Sequence, residues 1–124
     1  MSIEEFFKHE LNEWGKNIEF YLADLDILKE RLVEVAGKNT KASVMAGAEH
    51  FQNQFILQKD NLQHLNHKVK VQKDKLDAEI KKITGLGDLD LVDNQHFLRE
   101  AVQLNEKIFQ ELKHSFYRFL SKVF

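Results

Sequence analysis

The residues of this sequence best suited to chemistry are its six histidines, because imidazole binds metal ions and titrates near neutral pH. Two carboxylate spacings resemble metal-ligand motifs: His96 lies four residues before Glu100, and Glu111 lies three residues before His114. Di-iron helical bundles carry a Glu-x-x-His pair on each of two helices and add glutamates from the others. This chain has the pair once. The histidines are His9, His50, His64, His67, His96 and His114.

Other chemistry has less support. The helical pattern described below places all six histidines beside the apolar seams, so a histidine–carboxylate metal-binding bundle is kept only as a remote alternative. The absence of cysteine excludes thiolate ligands, cysteine nucleophiles and disulfides. The segment Gly85-Leu86-Gly87 lacks the third glycine and the lysine of a phosphate-binding loop. We therefore expect a non-enzymatic protein with no cofactor and with no catalytic, cofactor-binding or metal-binding residues.

The composition indicates a single helical domain over residues 1–124. The chain is 43% hydrophobic and 31% charged, and no proline and only five glycines are present to interrupt helices. Eighteen basic against twenty acidic residues give a net charge of −2, which argues against a nucleic-acid partner. We find neither an apolar run long enough to span a membrane nor an apolar signal core after the acidic first residues. These features predict a cytoplasmic protein.

Apolar residues spaced alternately by three and four predict three helices, at about 3–36, 41–84 and 94–124. The first pattern is the strongest, because every seam position from Leu11 to Val35 is apolar. Ser2 and Glu5 match a capping box, and Asp93 is the predicted N-cap of the third helix. Short connections make neighbouring helices antiparallel. The predicted fold class is therefore all-α: an elongated, up-down-up three-helix antiparallel bundle with coiled-coil-like packing.

The third helix carries a second apolar stripe beside its main seam. Phe97, Ala101, Leu104 and Ile108 repeat at helical spacing, and a wide apolar face suits a helix that contacts two neighbours.

The predicted turns place the ends of the three helices at different levels along the bundle axis. They place the end of the third helix near Asp24, so the first two helices would continue beyond it as a hairpin with a half-exposed seam. We therefore expect homodimerisation to complete the bundle. The alternative is a shorter, self-sufficient bundle with a curved second helix. The residues predicted for self-association are Leu25, Leu28, Leu32, Val35, Val44 and Phe51.

The same predicted turns place two polar seam residues opposite each other. Gln72 on the second helix faces Asn105 on the third, and a buried amide pair would fix the register at some cost in stability. The alternative is that both amides face water.

These observations predict an adaptor-like or chaperone-like helical interaction protein that self-associates and binds an unidentified protein partner. The general shape is similar to helical-hairpin chaperones and coiled-coil adaptors, although no motif assigns a family. The alternative function is at a membrane surface, through the basic aromatic segment 113–124, where Lys113 and Arg118 accompany several phenylalanines. The competing interpretation is that these rings pack in the bundle near Trp14 and Tyr21.

Overall fold

The computed structural model describes residues 1–39, 41–81 and 89–124. The described chain folds into three long helices that pack up-down-up, which confirms the predicted all-α bundle. The helices contain 36, 39 and 35 residues, so each is a rod of about 50–60 Å. They are α1 (Ile3–Lys38), α2 (Ala42–Ile80) and α3 (Leu89–Val123).

The start of α1 confirms the predicted capping box. The Ser2 hydroxyl accepts a hydrogen bond from the Glu5 backbone N–H at 3.2 Å, and the Ser2 backbone N–H donates to the Glu5 carboxylate at 3.4 Å. Two otherwise unpaired backbone donors are satisfied in this way. At the other end, the Asn39 side chain donates to the Val35 carbonyl, which satisfies one of the last carbonyls of the helix.

The second connection differs from its prediction. Helix α2 ends at Ile80 instead of at 84, and α3 begins at Leu89 instead of at 94. Asp93 therefore lies inside α3 and is not its N-cap. The helix starts earlier because Leu91, one heptad before Leu98, is buried and continues the apolar seam. Thr84 and Gly85-Leu86-Gly87 lie outside the described residues.

This earlier start moves α3 along the bundle. Lys113 of α3 contacts Asp24 of α1 at 2.7 Å, so residues 114–123 extend alongside the last turns of α1. Gln72 of α2 lies opposite Gln95, although the predicted turns place it opposite Asn105. The three helices are consequently almost flush, and the predicted two-helix end is wrong.

The core runs the length of the bundle. Fully buried leucines of α1 and α2 form its centre, and phenylalanines from α2 and α3 fill the end near the first turn. Phe55 meets Phe116 edge to face, with ring centroids 5.0 Å apart, and Phe51 lies 5.3 Å from Phe116. Burying one such side chain stabilises the fold by roughly 1.5–3 kcal/mol. The chain therefore has a complete core of its own.

Candidate functional site

The residues predicted for self-association are mostly part of this core. Leu25 and Leu28 are fully buried, Leu32, Val35 and Phe51 are buried, and only Val44 is half-buried. They are covered because α3 reaches past Asp24 instead of ending there. The prediction that this seam is left bare is therefore wrong. These side chains meet a second copy only if the bundle opens.

The predicted pair of Gln72 and Asn105 is also wrong. Asn105 is half-buried and donates to the Ala101 carbonyl of its own helix at 3.0 Å. The pair fails because the shift of α3 carries Asn105 more than two turns away from Gln72. Gln72 itself is fully buried, as the prediction required, but its partners lie at the start of α3.

Gln72 belongs to a polar layer, which we define as the buried Gln72 and Gln95 with the half-buried Asn94, Glu10 and Arg99. The Gln72 amide nitrogen donates to the Leu91 carbonyl at 2.9 Å and to the Gln95 amide oxygen at 3.1 Å. The Asn94 amide nitrogen donates to the Gln72 amide oxygen at 2.6 Å. These bonds join α2 to α3.

The polar layer continues to α1 through Gln95. Its amide nitrogen donates to the Phe7 carbonyl at 3.2 Å and to the Glu10 carboxylate at 3.3 Å. The Arg99 guanidinium also donates to Glu10, at 2.7 Å from Nε, and this hydrogen bond raises the pKa of Arg99 above its ordinary value. Because its members bond one another across α1, α2 and α3, the layer fixes the register of the three helices.

The sequence pattern predicts Gln72 as a register residue but does not predict Gln95 as its partner. The signal was present: Gln95 precedes Leu98 by three residues, so continuing the heptad pattern of α3 backwards places it on the seam.

The histidines do not assemble a metal site. All six are exposed. His96 and Glu100 do contact each other, at 3.2 Å, but both lie on the outer face of α3. Within residues 1–39, 41–81 and 89–124, no group of three or more His, Cys, Asp or Glu side chains is arranged to hold a metal ion.

Two of the four aromatic rings in residues 113–124 pack inside the bundle. Phe116 is fully buried and packs on Phe51 and Phe55 of α2. Phe119 also lies against α2, where a Cβ added at Gly47 would come within 2.7 Å of its ring. Phe116 therefore packs in the core and Phe119 packs against it, whereas Tyr117 and Phe124 stay exposed. The Tyr21 ring centroid lies 4.9 Å from that of Phe109, which precedes this segment.

One exposed apolar feature of the surface is a stripe between α2 and α3. We define the α2–α3 stripe as Phe97, Ala101, Leu104 and Ile108 of α3 with Leu57 of α2. The exposed fractions are 66% for Phe97, 57% for Leu104, 40% for Ile108 and 58% for Leu57. Three residues of the second stripe seen in the sequence, Phe97, Leu104 and Ile108, thus face solvent, whereas Ala101 is half-buried and packs against the core.

Helix packing explains why Leu57 joins this stripe. Gln72 lies opposite Gln95, and Gly47 lies opposite Phe119. Because α2 and α3 are antiparallel, Leu57 falls between these two points, at about the axial level of Ile108. The stripe therefore has exposed apolar residues on both helices.

No protein-family model, curated protein sequence or solved structure matches this chain. Among the described helices, none is both long enough and apolar enough to cross a membrane.

Proposed function

We propose that the chain is a single-domain, non-enzymatic helical interaction protein, adaptor-like or chaperone-like, that self-associates as a homodimer. One observation carries this proposal: large apolar side chains of the α2–α3 stripe stay exposed on a bundle whose core is already complete. Contiguous exposed apolar surface is typical of association sites, because each Å² removed from water contributes about 25 cal/mol. A cytoplasmic location fits this proposal.

The size of the stripe sets the expected affinity. Residues 97–108 of α3 span about 16 Å of helix, which is shorter than most permanent interfaces require. We therefore expect a reversible dimer with a dissociation constant on the order of micromolar.

Sedimentation equilibrium over a dilution series tests self-association. The proposal predicts that the weight-average mass rises with concentration from the 14.6 kDa of one chain towards twice that value. A mass of one chain across the series, from about 1 μM to several hundred μM, contradicts it.

The membrane-surface alternative has less support. Its segment, residues 113–124, has already placed Phe116 and Phe119 against α2, which leaves Tyr117 and Phe124 as its exposed rings. Co-sedimentation with vesicles of phosphatidylglycerol and phosphatidylcholine distinguishes the two functions. Self-association predicts that the protein stays in the supernatant, and pelleting with the vesicles would favour the membrane surface.

A further inference from the structure

We propose that the second copy binds along the α2–α3 stripe in an antiparallel, two-fold arrangement, with α3 of one subunit against α3 of the other. This inference rests on the proposed self-association. It adds the surface, the orientation of the two copies and the residues at the centre of the interface.

The spacing of the stripe suits an antiparallel pair. Phe97, Ala101, Leu104 and Ile108 are separated by four, three and four residues, so the pattern is the same in both chain directions. A two-fold axis between Ala101 and Leu104 places each alanine opposite a leucine of the partner subunit. It also places Phe97 opposite Ile108 of the partner subunit. A small side chain then meets a large one in the central layers, as close packing requires.

Charge favours the same orientation. With the two-fold axis between Ala101 and Leu104, residues 89–102 (three acids and one base, net −2) lie beside residues 103–116 of the partner subunit (two acids and two bases, net 0). An antiparallel pair therefore keeps the two acidic segments apart. At the edge of the stripe, Glu100 then lies near Lys107 of the partner subunit. A parallel pair would instead place like charges together, and such repulsion selects orientation.

Helix α2 extends the contact. Because Leu57 lies at about the axial level of Ile108, Phe97 of the partner subunit comes against both side chains. Each end of the antiparallel contact therefore gains an apolar residue from a second helix. A single helix face becomes a shallow groove between α2 and α3.

Charge also disfavours α1 as the self-pairing helix. Helix α1 carries nine acids against five bases, and both of its halves are acidic. Two copies of α1 would repel each other in either direction. The exposed Val33 of α1 is therefore a suitable control position.

Cysteine crosslinking tests the orientation, because the natural chain contains no cysteine. The variants are Phe97→Cys, Ile108→Cys and, as the collision control, Val33→Cys. Disulfide formation needs Cα atoms within about 7 Å. The antiparallel axis brings residue 97 to residue 108 of the partner subunit but leaves like positions about 16 Å apart along the helix. An equimolar mixture of Phe97→Cys and Ile108→Cys is oxidised at a protein concentration above the dissociation constant. Mass spectrometry should then detect mostly the mixed disulfide.

A charge swap gives a second readout without removing apolar contacts. Glu100→Lys and Lys107→Glu should each raise the dissociation constant about fivefold, since each variant brings like charges together twice in the dimer. The double variant should return to the wild-type value. In a parallel dimer each of these positions would face its own copy, so a single variant would still bring like charges together. The dissociation constant would then change little.

The outcomes separate this inference from the proposed function. The mixed disulfide together with recovery in the double variant supports the antiparallel interface. Self-crosslinking of either stripe variant alone, or a dimer that crosslinks at position 33 and not at the stripe, overturns this interface but leaves self-association intact. A chain that stays monomeric at all concentrations overturns both.

Discussion

Two buried glutamines on α2 provide a matched test of the polar layer. Gln72 and Gln58 are the same residue type on the same helix, and both are at most 3% exposed. Gln72 is held by hydrogen bonds from and to α3, whereas the Gln58 amide nitrogen has no hydrogen-bond partner among the described residues. Replacing each with leucine should therefore change stability in opposite directions.

The size of the loss at Gln72 follows from its contacts. Gln72→Leu removes three hydrogen bonds and leaves the buried amide oxygen of Gln95 without the Gln72 donor. An unsatisfied buried polar group costs about 1–3 kcal/mol, and the added apolar side chain offsets part of this cost. We expect a net loss of about 2 kcal/mol. Gln58→Leu removes an unpaired buried donor and should gain about 1 kcal/mol.

Urea unfolding followed by circular dichroism measures both changes. With a slope of about 1–3 kcal/mol per M, Gln72→Leu should lower the midpoint by about 1 M, and Gln58→Leu should raise it by about half as much. The protein concentration is kept equal because dimerisation stabilises the folded state. If both variants move the midpoint in the same direction, or if Gln72→Leu raises it, the polar layer does not hold the helices as described.

Two further perturbations act on the bundle. Gly15→Ala should raise the free energy of unfolding by up to ~1 kcal/mol, because a Cβ at residue 15 meets open space. Gly47→Ala should not show this gain, because its Cβ would come too close to the Phe119 ring. Equal shifts of the melting temperature for the two variants would contradict the packing of that ring. The hydrogen bond to Asp24 raises the pKa of Lys113 above 10.5. The contribution of the Lys113–Asp24 pair to folding stability is therefore present below pH 10.5 and is lost as the pH rises through the folded-state pKa. Lys113→Met should therefore reduce the loss of stability measured above about pH 10, and an unchanged alkaline profile would show that the pair contributes nothing.

Lys16 offers the control for the alkaline measurement. It is exposed and lies 3.7 Å from Glu13 on its own helix. Such surface pairs contribute little, so Lys16→Met should leave the alkaline profile unchanged.

The sequence predicts the helices of this protein better than their axial positions. Seam residues such as Leu25 and Leu28 are buried as their spacing requires, and the Ser2 capping box is present. Periodicity identifies which side chains share a helix face, but it does not fix how far one helix slides along another. The polar layer supplies that information, and it depends on contacts among three helices that no single pattern contains.

The candidate site shows the same limit. The α3 stripe is visible in the sequence as a second apolar row, but a row that packs on another helix and a row that faces solvent have the same spacing. Burial of Leu98 and exposure of Leu104 distinguish them only in the folded chain. Because α3 lies further along the bundle than the sequence predicts, the α1 seam predicted for self-association is buried. The residues left for self-association are those of the exposed stripe near Leu104.

The interface claim is tested most directly by comparing two glutamate variants in sedimentation equilibrium. Leu104→Glu places a carboxylate at the centre of the α2–α3 stripe, whereas Val33→Glu places one at a position that is 71% exposed on α1. A desolvated, unpaired charge at an interface centre costs several kcal/mol, so Leu104→Glu should raise the dissociation constant at least about 100-fold. Val33→Glu should match the wild type, with both variants retaining their helical circular dichroism. If the wild type dimerises and Leu104→Glu does so equally well, the α2–α3 stripe is not the interface.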